Sequence, residues 1–176
     1  MLSLLNTLCY VVFGLAVIAL PFLCVNWIRY LRQRKSKIFS EVRSSYGFPV
    51  KSTLVFVAAI VLAITTAEII GSLSRSEVLN YLRGLSGNYI VSIDRRRISD
   101  PALIVSALKQ MSPVLGHHSH PTSNIQVEIQ SANGTLDLEL RRDSDNPQEY
   151  WVFYPKYLVT SNNEIGRITT PVFDAY

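Results

Sequence analysis

Two long apolar runs stand at the front of this chain, and short alternating segments follow them. Residues 53–73 read TLVFVAAIVLAITTAEIIGSL and contain neither Lys nor Arg. As a helix rising about 1.5 Å per residue they cover roughly 31 Å, the thickness of a bilayer's hydrocarbon core. Residues 8–28, LCYVVFGLAVIALPFLCVNWI, form a second such run. The pattern predicts two transmembrane helices. No cation precedes the first run and no small-x-small cleavage site closes it, so a span fits better than a cleavable signal peptide. Trp27 and Tyr30 then lie at the headgroup boundary, where amphipathic aromatics settle. Pro21 removes one backbone hydrogen bond inside that span and is a site for a kink.

The periodicity changes after residue 73. Val78, Leu79, Leu82 and Leu85 recur at helical spacing, which extends the second span into a short amphipathic helix ended by Gly84 and Gly87. Residues 88–95 read as a strand with Tyr89, Val91 and Ile93 on one face. Ser99 or Asp100 caps a following helix, and Pro101 suits its first turn. Leu103, Ile104, Ala107, Leu108 and Met111 form the helix's apolar stripe, and Ser112-Pro113 stops it. Ile125, Val127 and Ile129 then alternate with Gln126, Glu128 and Gln130. Beyond Asn133-Gly134, a hairpin signal, Leu136, Leu138 and Leu140 alternate with Asp137, Glu139 and Arg141. Residues 143–148 make a second turn. Residues 149–154 form an aromatic strand broken by Pro155, and residues 164–170 a last strand.

The predicted fold is a two-span helical membrane anchor plus a small α+β extracytoplasmic domain, in the order α-β-α-β-β-β-β. Its sheet is antiparallel, with helices on one face. The divisions are residues 1–28 for the first transmembrane helix with a short tail, 29–52 for a basic cytoplasmic loop, 53–73 for the second span, and 74–176 for the outward domain.

Charge sets the orientation. The connector holds Arg29, Arg32, Arg34, Lys35, Lys37, Arg43 and Lys51 against a single acid, Glu41. Basic residues stay cytoplasmic, which puts the N-terminus and the C-terminal domain outside. In a bacterium that means an inner-membrane protein with a periplasmic domain. From residue 74 onward ten basic residues face eleven acidic ones, so the sequence pI of about 9.2 belongs to the connector. The basic balance is therefore no sign of a nucleic-acid partner. Anionic lipid is a second reading of the connector, beside that of a solvated topology signal. Cys9 and Cys24 lie 15 positions apart on one helix and cannot pair with each other, and the back half has no cysteine.

Candidate chemistry is sparse. Glu68, an ionisable side chain inside the second span, is a functional candidate, although it lies near enough to the outer boundary to reach water. His117, His118 and His120 are the weak candidates for a metal, since imidazole suits zinc or copper but neighbours in one loop seldom converge. Asp143–Asn146 lacks the glycine and terminal Glu of a calcium loop and reads as a polar turn. Arg95, Arg96 and Arg97 offer a surface for an acidic partner or for phosphate, or else end a solvated strand. Trp151, Phe153, Tyr154 and Tyr157 are candidate partner anchors, because polar-tipped aromatics recur at interfaces. Alternation puts Tyr150, Val152 and Tyr154 on one face and Trp151 and Phe153 on the other.

No nucleophile elbow, phosphate loop or metal-binding helix occurs, so no catalytic residue, cofactor or resident metal is assigned. Asn133-Gly134-Thr135 is a glycosylation sequon, meaningful only in a eukaryotic lumen. The expected function is that of an accessory, regulatory or immunity-like membrane subunit. Its partners are the lipid bilayer and another membrane or periplasmic protein, with a homo-oligomer as a further option. A membrane-anchored enzyme or metal-binding domain and an oligomeric channel component are the competing readings.

Overall fold

The computed structural model describes residues 2–32, 49–114 and 118–176 in full and residues 33–37 as backbone. The molecule has two long apolar helices and a small domain built on a six-stranded antiparallel sheet. The chain divides into two compact units, Ser3–Ala67 and Glu68–Tyr176.

The first unit contains α1 (Leu2–Lys37) and the front of α2 (Val50–Arg83). Residues 29–37 and 50–52, which the charge pattern assigns to the connector, are helical. Both helices are long and apolar enough to cross a membrane. Most of their large side chains are exposed, Phe13, Ile18, Leu54 and Val61 among them. The polar groups of these runs are satisfied locally. Thr65 and Thr66 hydroxyls donate to the carbonyls of Val61 and Leu62 at 2.9 and 2.7 Å. Such back-bonding lets threonine sit in an apolar helix without an unpaired hydroxyl. The Cys9 thiol is buried and donates to the Ala63 carbonyl at 3.6 Å.

In the second unit every fourth residue of α2 is inaccessible: Ile70, Ser74, Val78 and Leu82. Residues four apart share a helix face, so this is one stripe. The elements that follow are β1 (Ile90–Ile93), β2 (Arg96–Arg97), α3 (Pro101–Lys109), β3 (Pro121–Ser131), β4 (Gly134–Asp143), β5 (Glu149–Phe153), α4 (Leu158–Asn162) and β6 (Gly166–Thr169). The sheet order is β2-β1-β3-β4-β5-β6. The expected order of helices and strands holds, with β2 and α4 as additions.

Local differences have local causes. The strand expected over residues 88–95 ends at Ile93, because Asp94 and Arg95 adopt φ of 47° and 65° and turn the chain back into β2. Two successive residues in that region make the tight hairpin whose twist suits a sheet. Asp100 is the N-cap of α3 but makes no side-chain capping hydrogen bond. Leu103 is exposed, and Val105 joins Ile104, Ala107 and Leu108 on the buried side. In the β3–β4 hairpin Ser131 pairs with Gly134, so Ala132 and Asn133 form the tip and the glycine takes the φ of 114° one position later.

The core joins Val78 and Leu82 of α2, Ile104 and Leu108 of α3, and the inward rows of the sheet, including Val91, Val127, Ile129, Leu138, Leu140, Tyr150 and Val152. Each fully buried aliphatic or aromatic side chain adds about 1.5–3 kcal/mol of transfer free energy. At the far edge Ser112 and Arg167 exchange backbone hydrogen bonds of 2.9 and 3.1 Å, which covers β6 with the segment after α3. Gly166 lies so close to that segment that a Cβ there would sit 2.5 Å from the Ser112 carbonyl oxygen.

Candidate interaction surface

Strand pairing assigns the polar side chains to one sheet face. Ser92, Glu128 and Asp137 share one cross-strand row; Gln126, Glu139 and Phe153 a second; Asn124, Arg141, Trp151 and Arg167 a third. Asn124, Gln126 and Asp137 are exposed. The core-facing residues alternate with these along every strand, as an antiparallel sheet with one packed face requires.

The β1 side of the face is concave and acidic. A hollow of about 620 Å³ is lined by Ser92, Asp94, Arg95, Gln126, Val127, Glu128 and Asp137. Glu128 and Asp137 stand directly opposite each other. Like charges so placed destabilise a sheet slightly, so here the fold gains nothing from the pair. The Asp94 carboxylate accepts the Gln126 backbone N–H at 2.9 Å, fastening the β1–β2 turn to the rim. Of the three consecutive arginines, Arg95 lines the hollow, whereas Arg96 and Arg97 form the exposed edge strand.

At the β5–β6 side the face is roofed by guanidinium groups. Arg141 stacks 4.2 Å from the Phe153 ring centre, and Arg167 stacks 4.0 Å from that of Trp151. Phe153 is only 2% exposed, and Trp151 is half-buried. The alternation expected for these residues is therefore the one found, and arginine side chains cover the second aromatic face. Arg167 also donates to Glu164 at 2.8 and 2.9 Å and to Glu149 at 2.9 Å. Those hydrogen bonds, Glu164's first, keep its guanidinium charged despite the burial that opposes it.

Asp143 anchors the adjoining turn. Its carboxylate accepts the Ser119 hydroxyl at 2.6 Å, the Trp151 indole N–H at 2.7 Å, and the backbone N–H groups of Asp145 and Asn146 at 2.8 and 3.0 Å. Burial alone would raise its pKa, but these donors outweigh burial and hold it well below the usual carboxylate range. The turn expected at residues 143–148 is thus built around an aspartate already satisfied by protein donors.

Tyr154 and Tyr157 belong to the opposite side of the domain. Their hydroxyls donate to Glu77 of α2 at 3.1 and 2.9 Å, and Lys156 makes an ion pair with the same carboxylate. Burial pushes the Glu77 carboxyl up, yet the bonds from Lys156, Tyr157 and Tyr154 leave it lowered. Burial, reinforced by the Glu77 charge, pushes the Tyr154 phenol up to about 12. The β3–β4 tip is tied to the same helix. Tyr81 donates to the Gly134 carbonyl at 2.7 Å, and the Asn133 amide donates to the Gly84 carbonyl at 3.3 Å.

The remaining candidates stay apart. Glu68 is exposed on α2, off the buried stripe. His118 and His120 are exposed, and the His120 backbone pairs with Ser144; His117 lies outside the described residues. Among the described residues no three His, Cys, Asp or Glu side chains are grouped to hold a metal ion. The Arg141–Phe153 and Arg167–Trp151 stacks were hidden from sequence reasoning because they depend on cross-strand register. The two positive-φ residues before Arg96 carry neither the glycine nor the asparagine that usually marks such a turn.

No family model, curated protein or solved structure matches this chain.

Proposed function

We propose that the chain is an integral membrane protein, of the bacterial inner-membrane type, that presents its sheet domain outside to bind another protein. The two apolar helices form the anchor, the basic connector of residues 29–52 stays cytoplasmic, and the N-terminus and residues 74–176 lie on the outer side. The role is that of an accessory, regulatory or immunity-like subunit.

One observation carries the binding role. The outward sheet face is continuous and polar, acidic and hollow at Asp94, Glu128 and Asp137 and arginine-covered over Trp151 and Phe153. A hollow lined by three carboxylates and one arginine presents a fixed charge pattern that selects both the partner and its orientation. Arg95 at the hollow's rim and Trp151 under Arg167 are the residues placed to meet the partner.

The test is a photo-reactive phenylalanine analogue at Asp137 of the full chain in its native membrane. The expected result is one discrete adduct with a different protein, lost when Arg95→Glu and Glu128→Lys are combined. Adducts only with lipid, or an adduct unchanged by the reversal, would refute the binding role.

A further inference from the structure

The domain corner that contacts α2 just beyond the span has a second surface to meet. α2 continues without a break from residue 73, the last of the apolar run, to Glu77. Four residues of helix rise roughly 6 Å, and each headgroup layer is about 5–8 Å thick. Whatever grips Glu77 from the side therefore lies at headgroup height. The grip comes from Lys156, Tyr154 and Tyr157. The next residue, Leu158, begins α4 and is 59% exposed. Lys156 is exposed as well, and Arg75, two positions before Glu77, donates to the Ile165 carbonyl at 3.3 Å.

We propose that this corner, Arg75 with Lys156 and Leu158, rests on the bilayer surface. Leu158 enters the headgroup layer, and the two cations face anionic headgroups. The reading rests on residues 53–73 being a membrane span. A hydrophobic side chain flanked by Lys and Arg, with polar-tipped tyrosines behind it, is the chemistry that settles at a lipid interface. The contact fixes the tilt of the domain over the bilayer and so the direction in which the polar sheet face points.

The experiment uses the full chain, with Cys9→Ala and Cys24→Ala, in bilayer discs of phosphatidylcholine and phosphatidylglycerol. An environment-sensitive fluorophore is attached at Leu158→Cys, at Asn133→Cys or at Ile64→Cys, and quenched by lipids spin-labelled in the headgroup or in mid-chain; Ile64 is exposed and lies near the middle of residues 53–73. Asn133 is tied to Gly84, eleven residues beyond residue 73 and therefore roughly 16 Å up the helix. Headgroup quenching is expected to be about twofold stronger at 158 than at 133, because the two heights differ by roughly 10 Å. Equal headgroup quenching at 158 and 133, with strong mid-chain quenching at 64, would overturn the contact and leave the span standing. Absence of mid-chain quenching at 64 would overturn the span and the contact together.

Discussion

Helix α2 passes through two regimes, and the contrast shows how differently each region uses its residues. Toward its start, Leu54, Val57 and Val61 are exposed, and as the proposed membrane span the segment needs only to be apolar and helical. Toward its end, Val78 and Leu82 are fully buried in the core of the sheet domain. The same amino-acid type, valine, is interchangeable at position 57 and specified at position 78. A span answers to bulk hydrophobicity; a domain core answers to volume and shape.

The sharpest way to break this contrast is a charge. Val78→Asp is expected to prevent the domain from folding, since an unpaired buried carboxylate has no compensating partner. Loss of the near-ultraviolet dichroism of Trp151 and the buried tyrosines in detergent would report it. Val78→Ala removes two buried methyl groups and should cost about 2 kcal/mol, whereas Val57→Ala should leave the domain's unfolding midpoint in place. Equal losses at both positions would erase the distinction.

Between Val78→Asp and Val78→Ala in size stands Arg167→Met. The guanidinium is 6% exposed and holds Glu149 and Glu164, with Asp143 at 3.9 Å. Removing it strands the buried Asp143 and the partly buried Glu149 and Glu164, and about 3 kcal/mol of stability should go, read by chemical unfolding of the purified chain. Gly166→Ala should cost about 1–3 kcal/mol by forcing the Ser112 segment off β6.

The pH dependence separates the regions in another way. Tyr150 and Tyr154 are pushed up to about 12, both mainly by burial, from an ordinary phenol value near 10. A folded pKa above the unfolded one gives stability that is complete below pH 10 and fades as pH rises toward 12. Domain unfolding should therefore be steeply alkali-sensitive across that window, while far-ultraviolet helicity from α1 and the front of α2 persists. Asp143 and Glu77, both lowered, act in the opposite direction: their contribution is present above the ordinary carboxylate range and is lost as pH falls below it. The smallest effect belongs to Lys156→Met. Its ion pair with Glu77 is exposed on the lysine side, and less than about 1 kcal/mol should be lost.

What the chain reveals on reading divides along the same line. The apolar runs, the alternation of Ile125, Val127 and Ile129 against Leu136, Leu138 and Leu140, and the sharing of one face by Tyr150 and Val152 are legible because each is a period within one segment; which face turns inward is not. The capping of Phe153 by Arg141, the capture of Glu77 by Tyr154 and Tyr157, and the hydrogen bonds from Ser119 and Trp151 to Asp143 join positions 8 to 80 residues apart. No local pattern encodes such distances. The turn at Asp94-Arg95 was missed for another reason: the usual signal for two positive φ angles is glycine or asparagine, and here an aspartate is fastened by the Gln126 N–H instead.

The proposed topology has α2 leave one compartment and enter the sheet domain in another. Paired reporters decide it: an alkaline phosphatase fused after Tyr176, active only outside, and a green fluorescent protein inserted within residues 38–48, fluorescent only inside. The account predicts that both fusions give signal. A silent phosphatase after Tyr176 beside a fluorescent connector would put both segments in one compartment and contradict it.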